Sequence, residues 1–152
     1  NFEKREAIHF LKNIKLKYKP KKIIIGVDLI KKKSVLLKAY NDKKGITARF
    51  NKNLLKRINK ELKANFDVKS FKHSAIYNKS KSRIEMHLIS LKNQKVKVHN
   101  KNFHFKKGET IHTESSHKYS PKSFNQLAKK SGWKVKKIWT DLNRQFSIQY
   151  LI

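Results

Sequence analysis

Cysteine is absent from this sequence, and proline, glycine, methionine and acidic residues are scarce: two, four, one and ten among 152. Without cysteine there is no disulfide framework and no thiolate metal site, which fits a reducing, cytoplasmic setting. No run of about 18 apolar residues occurs, and KKIIIGVDLI is too short to cross a bilayer, so no membrane partner is expected. The opening NFEKREAIHFL has no signal-peptide shape, and it does not begin with methionine. The glycines stand alone at 26, 45, 108 and 132, so no G-x-G-x-x-G phosphate loop is present in these residues.

What is present is lysine. Lysine and arginine number 39, giving a formal net charge of +29, which attracts phosphate through counterion release. Yet only Arg5, Arg49, Arg57, Arg83 and Arg144 carry the guanidinium suited to bidentate base and phosphate contacts. The lysines run the length of the chain. A solvated basic surface with non-specific nucleic-acid adhesion at low salt is therefore expected rather than a patterned nucleic-acid site. The length suits a single domain over residues 1–152 that buries a real core.

Periodicity places the elements. Ala7, Ile8, Leu11, Ile14 and Tyr18 recur at helical spacing until Pro20. KIIIGVD then reads as a strand covered on both faces, the α/β pattern, with Asp28 at its carboxyl end either near a ligand or capping a helix. Helices are expected over residues 32–40 and 52–64, with AYNDKKGITARFN between them as a loop carrying Tyr40 and Phe50. From Phe71 the period becomes two. In SRIEMHLIS, Met86 shares a face with Ile84 and Leu88, away from Glu85 and His87. QKVKVHN and NFHFKKG read as paired strands, an antiparallel addition to a parallel core. SPKSFNQLAKKSGW is a helix capped by Ser120 and closed by Gly132, and WKVKKIWT and FSIQYLI form a terminal hairpin.

With carboxylates so few, ETIHTESSHKY is the segment that asks for a chemical reason. His104, His112, His117 and Glu114 could surround zinc, but H-x-E-x-x-H outside a helix is a weak ligand pattern. No serine or cysteine nucleophile motif accompanies them. Glu114 beside hydroxyls is a good receptor for an N–H donor such as an imidazole or an ammonium, or else a partner for one of the lysines.

Taken together, IIIGVDLIK, AYNDKKGITARFNKNLLKRINKELKANFD, YNKSKSRIEMHLIS, GETIHTESSHKYS and WTDLNRQFSIQYL resemble the histidine-specific, S-adenosylmethionine-dependent methyltransferases of ergothioneine biosynthesis, in their carboxyl-terminal half. The resemblance implies a partial class I methyltransferase-like α/β sheet with antiparallel substrate-binding strands and a C-terminal antiparallel hairpin. It implies that Glu114 and Ser116 hold the substrate imidazole, that Met86 lines the same pocket and that Phe50 packs beside the substrate. Asn1 and Tyr40 then belong with the amino-acid amine and carboxylate. Asn41 stands where the family usually has aspartate. The glycine-rich loop and ribose-binding acid of the family are not among these residues. S-adenosylmethionine is accordingly expected for the complete enzyme, not for the isolated chain, with a separate chain as one source of the cofactor half. The other reading is a noncatalytic basic module for nucleic acid or a partner protein.

Overall fold

A computed structural model describes every residue, Asn1–Ile152. In chain order the elements are α1 (Lys4–Tyr18), β1 (Ile23–Asp28), α2 (Lys33–Tyr40), α3 (Ile46–Glu61), β2 (Phe71–Asn78), β3 (Arg83–Ser90) and β4 (Gln94–Val98). They continue with β5 (Lys101–Phe105), β6 (Thr110–His117), α4 (Pro121–Lys130), β7 (Val135–Thr140) and β8 (Phe146–Leu151). Two compact units result: Asn1–Lys32 with Asn78–Arg83 and Ser115–Ile152, and Lys33–Tyr77 with Ile84–Glu114.

The first unit packs two helices on a three-stranded antiparallel sheet of order β1-β8-β7. Helix α1 ends where Lys19 turns left-handed (φ 47°), just before Pro20. At the start of α4, Ser120 Oγ accepts from Ser123 N–H at 3.0 Å and Ser123 Oγ accepts from Ser120 N–H at 2.9 Å, a reciprocal box that satisfies two orphan donors. Leu11, Val27, Phe124, Leu127, Trp133 and Leu151 form the core. Trp133 buries its ring and donates its indole N–H to the Leu11 carbonyl at 3.0 Å, locking the chain after α4 to α1.

Here the expected interior, parallel strand gives way to a different arrangement. β1 is an edge strand, antiparallel to β8, and Ile24 is exposed. The apolar run is a correct strand signal; what it cannot specify is whether a neighbour exists on each side. β8 also turns its polar alternates, Ser147 and Gln149, into the core while Phe146 and Ile148 face out.

The second unit carries the sheet β2-β3-β6 and, apart from it, the antiparallel hairpin β4-β5. The hairpin is therefore its own two-stranded sheet rather than an addition to a parallel core; His99 supplies the positive φ (50°) its tight turn requires. One core cluster joins Leu55, Phe66, Phe71, Leu88 and Val96; another joins Leu36, Ala75, Ile84 and Met86. The expected loop across residues 40–51 is mostly helix. Asp42 accepts from the N–H groups of Ile46 and Thr47, both at 2.8 Å, and Gly45 takes φ 67°, so α3 starts at Ile46 and only a short turn separates it from α2. The outcome is a mixed α/β chain with antiparallel sheets.

Candidate functional site

Six candidate residues were expected, and the structure places four in the second unit. Glu114 lies half-buried on β6 and borders a hollow of about 200 Å³ with Phe50, Asn51, Leu54, Arg57 and Thr113. Phe50 is on the second turn of α3, its ring exposed. Met86 is buried on β3 in the cluster of Leu36, Ala75 and Ile84, and Tyr40, the last residue of α2, packs against that same cluster. Thus Glu114 and Phe50 share one hollow and Met86 and Tyr40 share one apolar cluster. Between them, Thr113 Oγ1 donates to the Met86 carbonyl at 3.0 Å, joining β6 to β3 beside the candidate carboxylate.

The elements bearing these residues are tied by a polar chain that the sequence did not single out. Buried Asn51 donates from its side-chain amide to His73 Nδ1 at 3.0 Å and to the His87 carbonyl at 3.2 Å. His73 Nδ1 must then be the acceptor, so its proton sits on Nε2, which donates to the Tyr40 carbonyl at 2.9 Å. This chain fixes α3, which carries Phe50, to β2 and to the end of α2. Asn41 does similar work: its amide nitrogen donates to the Ala75 carbonyl and its oxygen accepts from the Ala75 N–H, both at 2.9 Å. An aspartate could accept but not donate, which gives a physical reason for asparagine at that position.

On β3, His87 stacks on His112 with ring centroids 4.8 Å apart, its Nε2 3.8 Å from the Glu85 carboxylate. Both His87 ring nitrogens are buried without a hydrogen-bond partner. Burial, reinforced by His112, holds its pKa below the ordinary histidine value despite Glu85. No three histidine or acidic side chains converge in a geometry that would hold a metal ion.

Asn1 and Ser116 belong to the first unit, where both line an apolar groove beside β1. Ser116 Oγ accepts from Lys118 Nζ at 2.7 Å. Lys118 has a fully buried side chain and pairs with Asp28 at 2.7 Å, while Lys31 reaches the other oxygen of Asp28 at 2.6 Å. Burial pushes the Asp28 carboxyl up, but the hydrogen bonds from the two ammonium groups outweigh it and leave the pKa lowered. Asp28 thus combines the strand-end position read from the sequence with an unforeseen partner. One lysine among so many carries no sequence signal; only burial distinguishes Lys118. Next to it, Glu3 pairs with buried Arg83 and stands 3.7 Å from His117 Nε2.

Each of the four glycines sits in a local structural setting. The Gly26 α-carbon is covered by the Phe146 ring, with 2.8 Å from the position of an added Cβ to Cζ. Gly45 begins a helix, Gly132 follows one against Lys15, and Gly108 lies in a turn. None opens a strand-to-helix phosphate loop.

Comparison with known proteins bears on what the hollow and the groove serve. Over residues 1–152 the chain matches the family described as "Histidine-specific methyltransferase, SAM-dependent". The histidine N-alpha-methyltransferase of Mycobacterium tuberculosis (strain CDC 1551 / Oshkosh) is 38% identical over 128 residues, covering 83% of this chain and 40% of the relative. That of Mycolicibacterium smegmatis (strain ATCC 700084 / mc(2)155) is 35% identical over 132 residues, covering 86% of this chain and 41% of the relative. The chain therefore spans about two-fifths of the length of these curated relatives. With its whole length matched, it belongs to the histidine-specific, SAM-dependent methyltransferase family.

Proposed function

We propose that this chain is the substrate-recognising part of an L-histidine N-alpha-methyltransferase, corresponding to the end of a class I methyltransferase sheet with its substrate-binding strands. In the whole enzyme S-adenosylmethionine supplies methyl groups for the histidine α-amine. The observation that carries the reading is the hollow where the Glu114 carboxylate lies near the Phe50 ring. An imidazole presents an N–H at its edge and a flat π face, and a carboxylate with an aromatic neighbour answers both. Met86 and Tyr40 complete the pocket wall and the amino-acid end.

Glu114 acts in specificity and not as a base. A side chain lacking an N–H would leave the carboxylate without its partner, which is how a polar site rejects an analogue. Holding the ring fixes the far end of the substrate, and positioning of the amine follows from that. Since the glycines here form no nucleotide cradle, the cofactor-binding residues lie in polypeptide beyond these 152 residues, and the chain alone is inert and binds the cofactor weakly or not at all.

The test is Glu114→Ala in a protein that includes the cofactor-binding part. The KM for histidine should rise roughly 10- to 1000-fold, about 1.5 to 4 kcal/mol for a lost charge-assisted contact, with the thermal melt unchanged. Equal histidine affinity and equal methylation rate in wild type and variant would return Glu114 to the role of an ordinary ion-pair partner.

A further inference from the structure

Three of the four candidate residues in the second unit adjoin one polar relay. Tyr40 takes part directly, since its carbonyl accepts from His73 Nε2 at 2.9 Å. Phe50 precedes Asn51, whose amide nitrogen donates to His73 Nδ1 at 3.0 Å, and Met86 precedes His87, whose carbonyl accepts from the same amide at 3.2 Å. Asn51 is only 3% exposed. Placing an asparagine and an imidazole between α2, α3, β2 and β3 carries a desolvation cost that an apolar pair would avoid, so their presence asks for a role that packing alone does not supply.

The relay has a direction. Both amide hydrogens of Asn51 are engaged, and turning the amide over would set its oxygen against the His87 carbonyl, so the nitrogen must face His73. His73 therefore accepts at Nδ1 and donates at Nε2. With a proton on each nitrogen it would oppose an N–H to the Asn51 amide and break the link to α3. Its Nε2 proton goes to the carbonyl of the last residue of α2, one of the acceptors that a helix end leaves without an internal donor. A second clamp lies beside the first: Asn41 binds both backbone groups of Ala75 at 2.9 Å. Ala75 and His73 stand two apart on β2 and share a face. Tyr40 is thereby held at its own carbonyl and through the residue that follows it.

We propose that His73 and Asn51 are positioning residues for histidine recognition: the Nε2–H tautomer of His73 fixes the backbone at Tyr40, while Asn51 fixes the roll of α3 beside Phe50 and its seat on β3 beside Met86. The proposal rests on the substrate reading of Tyr40, Phe50 and Met86 given above and adds the residues that set their arrangement. Neither His73 nor Asn51 touches substrate. A substrate gripped at its ring by Glu114 on β6 and at its amino-acid end by Tyr40 on α2 needs those elements in register, and a misplacement of about 1 Å lowers the rate on the order of 100-fold.

The experiment separates the two ring nitrogens of His73, in the same protein that serves for Glu114→Ala. His73→Asn keeps an oxygen where Nδ1 accepts but is too short to reach Tyr40, His73→Gln sets an amide nitrogen where Nε2 donates, and His73→Leu has neither. The Asn and Leu variants should lower kcat/KM for histidine about 10- to 100-fold, mainly through KM, with the KM for S-adenosylmethionine changed less than about threefold. His73→Gln should recover most of the loss. Asn59, on the same helix, binds the Phe66 backbone by two bonds of 2.8 Å and supplies the control: Asn59→Ala should lower the melting temperature as Asn51→Ala does, but only Asn51→Ala should raise the KM for histidine. Proton–nitrogen correlation NMR of the 152-residue chain should find the His73 proton on Nε2 at neutral pH, and in Asn51→Asp, where an acceptor faces Nδ1, a proton on Nδ1. A histidine KM that tracks the melting temperature across all these variants rather than the Nε2 donor overturns the proposal, as does a wild-type proton on Nδ1. The substrate reading is judged separately. If Glu114→Ala leaves the KM unchanged while the His73 series keeps its order, the ring contact falls and the positioning role stands; if Glu114→Ala raises the KM and the series shows no order, the positioning role alone falls. A wild type that does not methylate histidine removes both.

Discussion

At the scale of single residues, the polar groups kept from water are the informative ones. Lys118 is an ammonium with no solvent contact, held by Asp28 and Ser116. Asp28→Asn leaves that charge buried opposite a neutral amide and should cost about 3–5 kcal/mol in urea denaturation. Adding Lys118→Met removes the stranded charge, so the double variant should recover most of the loss, a non-additivity diagnostic of direct coupling. Met86 and Glu114 offer the functional counterpart. If both shape one pocket, Met86→Ala and Glu114→Ala should combine non-additively in the KM for histidine, whereas additive effects would separate them. Titration gives a further test. Burial is the main cause that lowers the His87 and His117 pKa values, with His112 adding to it at His87 and Arg83 working against Glu3 at His117. In the unfolded chain these histidines take up protons near pH 6.5, and the folded ones resist. The unfolded state therefore binds more protons, and stability should fall as pH drops below about 6.5. Asp28, lowered from 3.8, and Asp42 and Asp67, lowered to about 2, give a second loss below about pH 4. Replacing His87 and His117 by glutamine should flatten the first limb alone, as read from urea midpoints between pH 7 and 5.

At the scale of elements, local chemistry decides where each one begins. Helix α4 announces itself through Ser120, Pro121 and Gly132, and the Ser120–Ser123 box is present as its sequence implies. Ser120→Ala should destabilise the protein by about 1 kcal/mol, measured by thermal or chemical denaturation; no change would mean that packing of Phe124, Leu127 and Ala128 alone sets the helix start. Helix α3 shows the opposite case. Its first turns, Ile46–Asn51, are poor in regular apolar spacing, and the Asp42 carboxylate fastens them through two backbone N–H groups. A capping side chain separated by a glycine turn from the helix it caps is hard to distinguish from a loop residue in sequence. The shift puts Phe50 on a helix, lining the Glu114 hollow, rather than on a loop.

At the scale of the molecule, charge dominates. The formal charge of +29 comes mostly from lysine distributed over the chain, so binding to duplex or single-stranded nucleic acid should fall steeply as salt rises and show little sequence preference. Discrimination of about 100-fold or more at physiological salt would instead identify a specific nucleic-acid site.

The sequence by itself determined the alternation of helices and strands, the terminal hairpin, the core position of Met86 and the motifs by which the family is known, because periodicity, caps and turn residues act over a few neighbours. It also singled out Glu114, since a carboxylate in so basic a chain is conspicuous. The tertiary structure decided what lies beside each element. It made β1 an edge strand, turned Phe146 and Ile148 outward, set Phe50 against the hollow of Glu114 and buried Lys118 against Asp28. Strand neighbours and the pairing of one lysine among many are settled by long-range contacts, where loop closure and burial outweigh local preference and leave no mark on a short stretch of sequence.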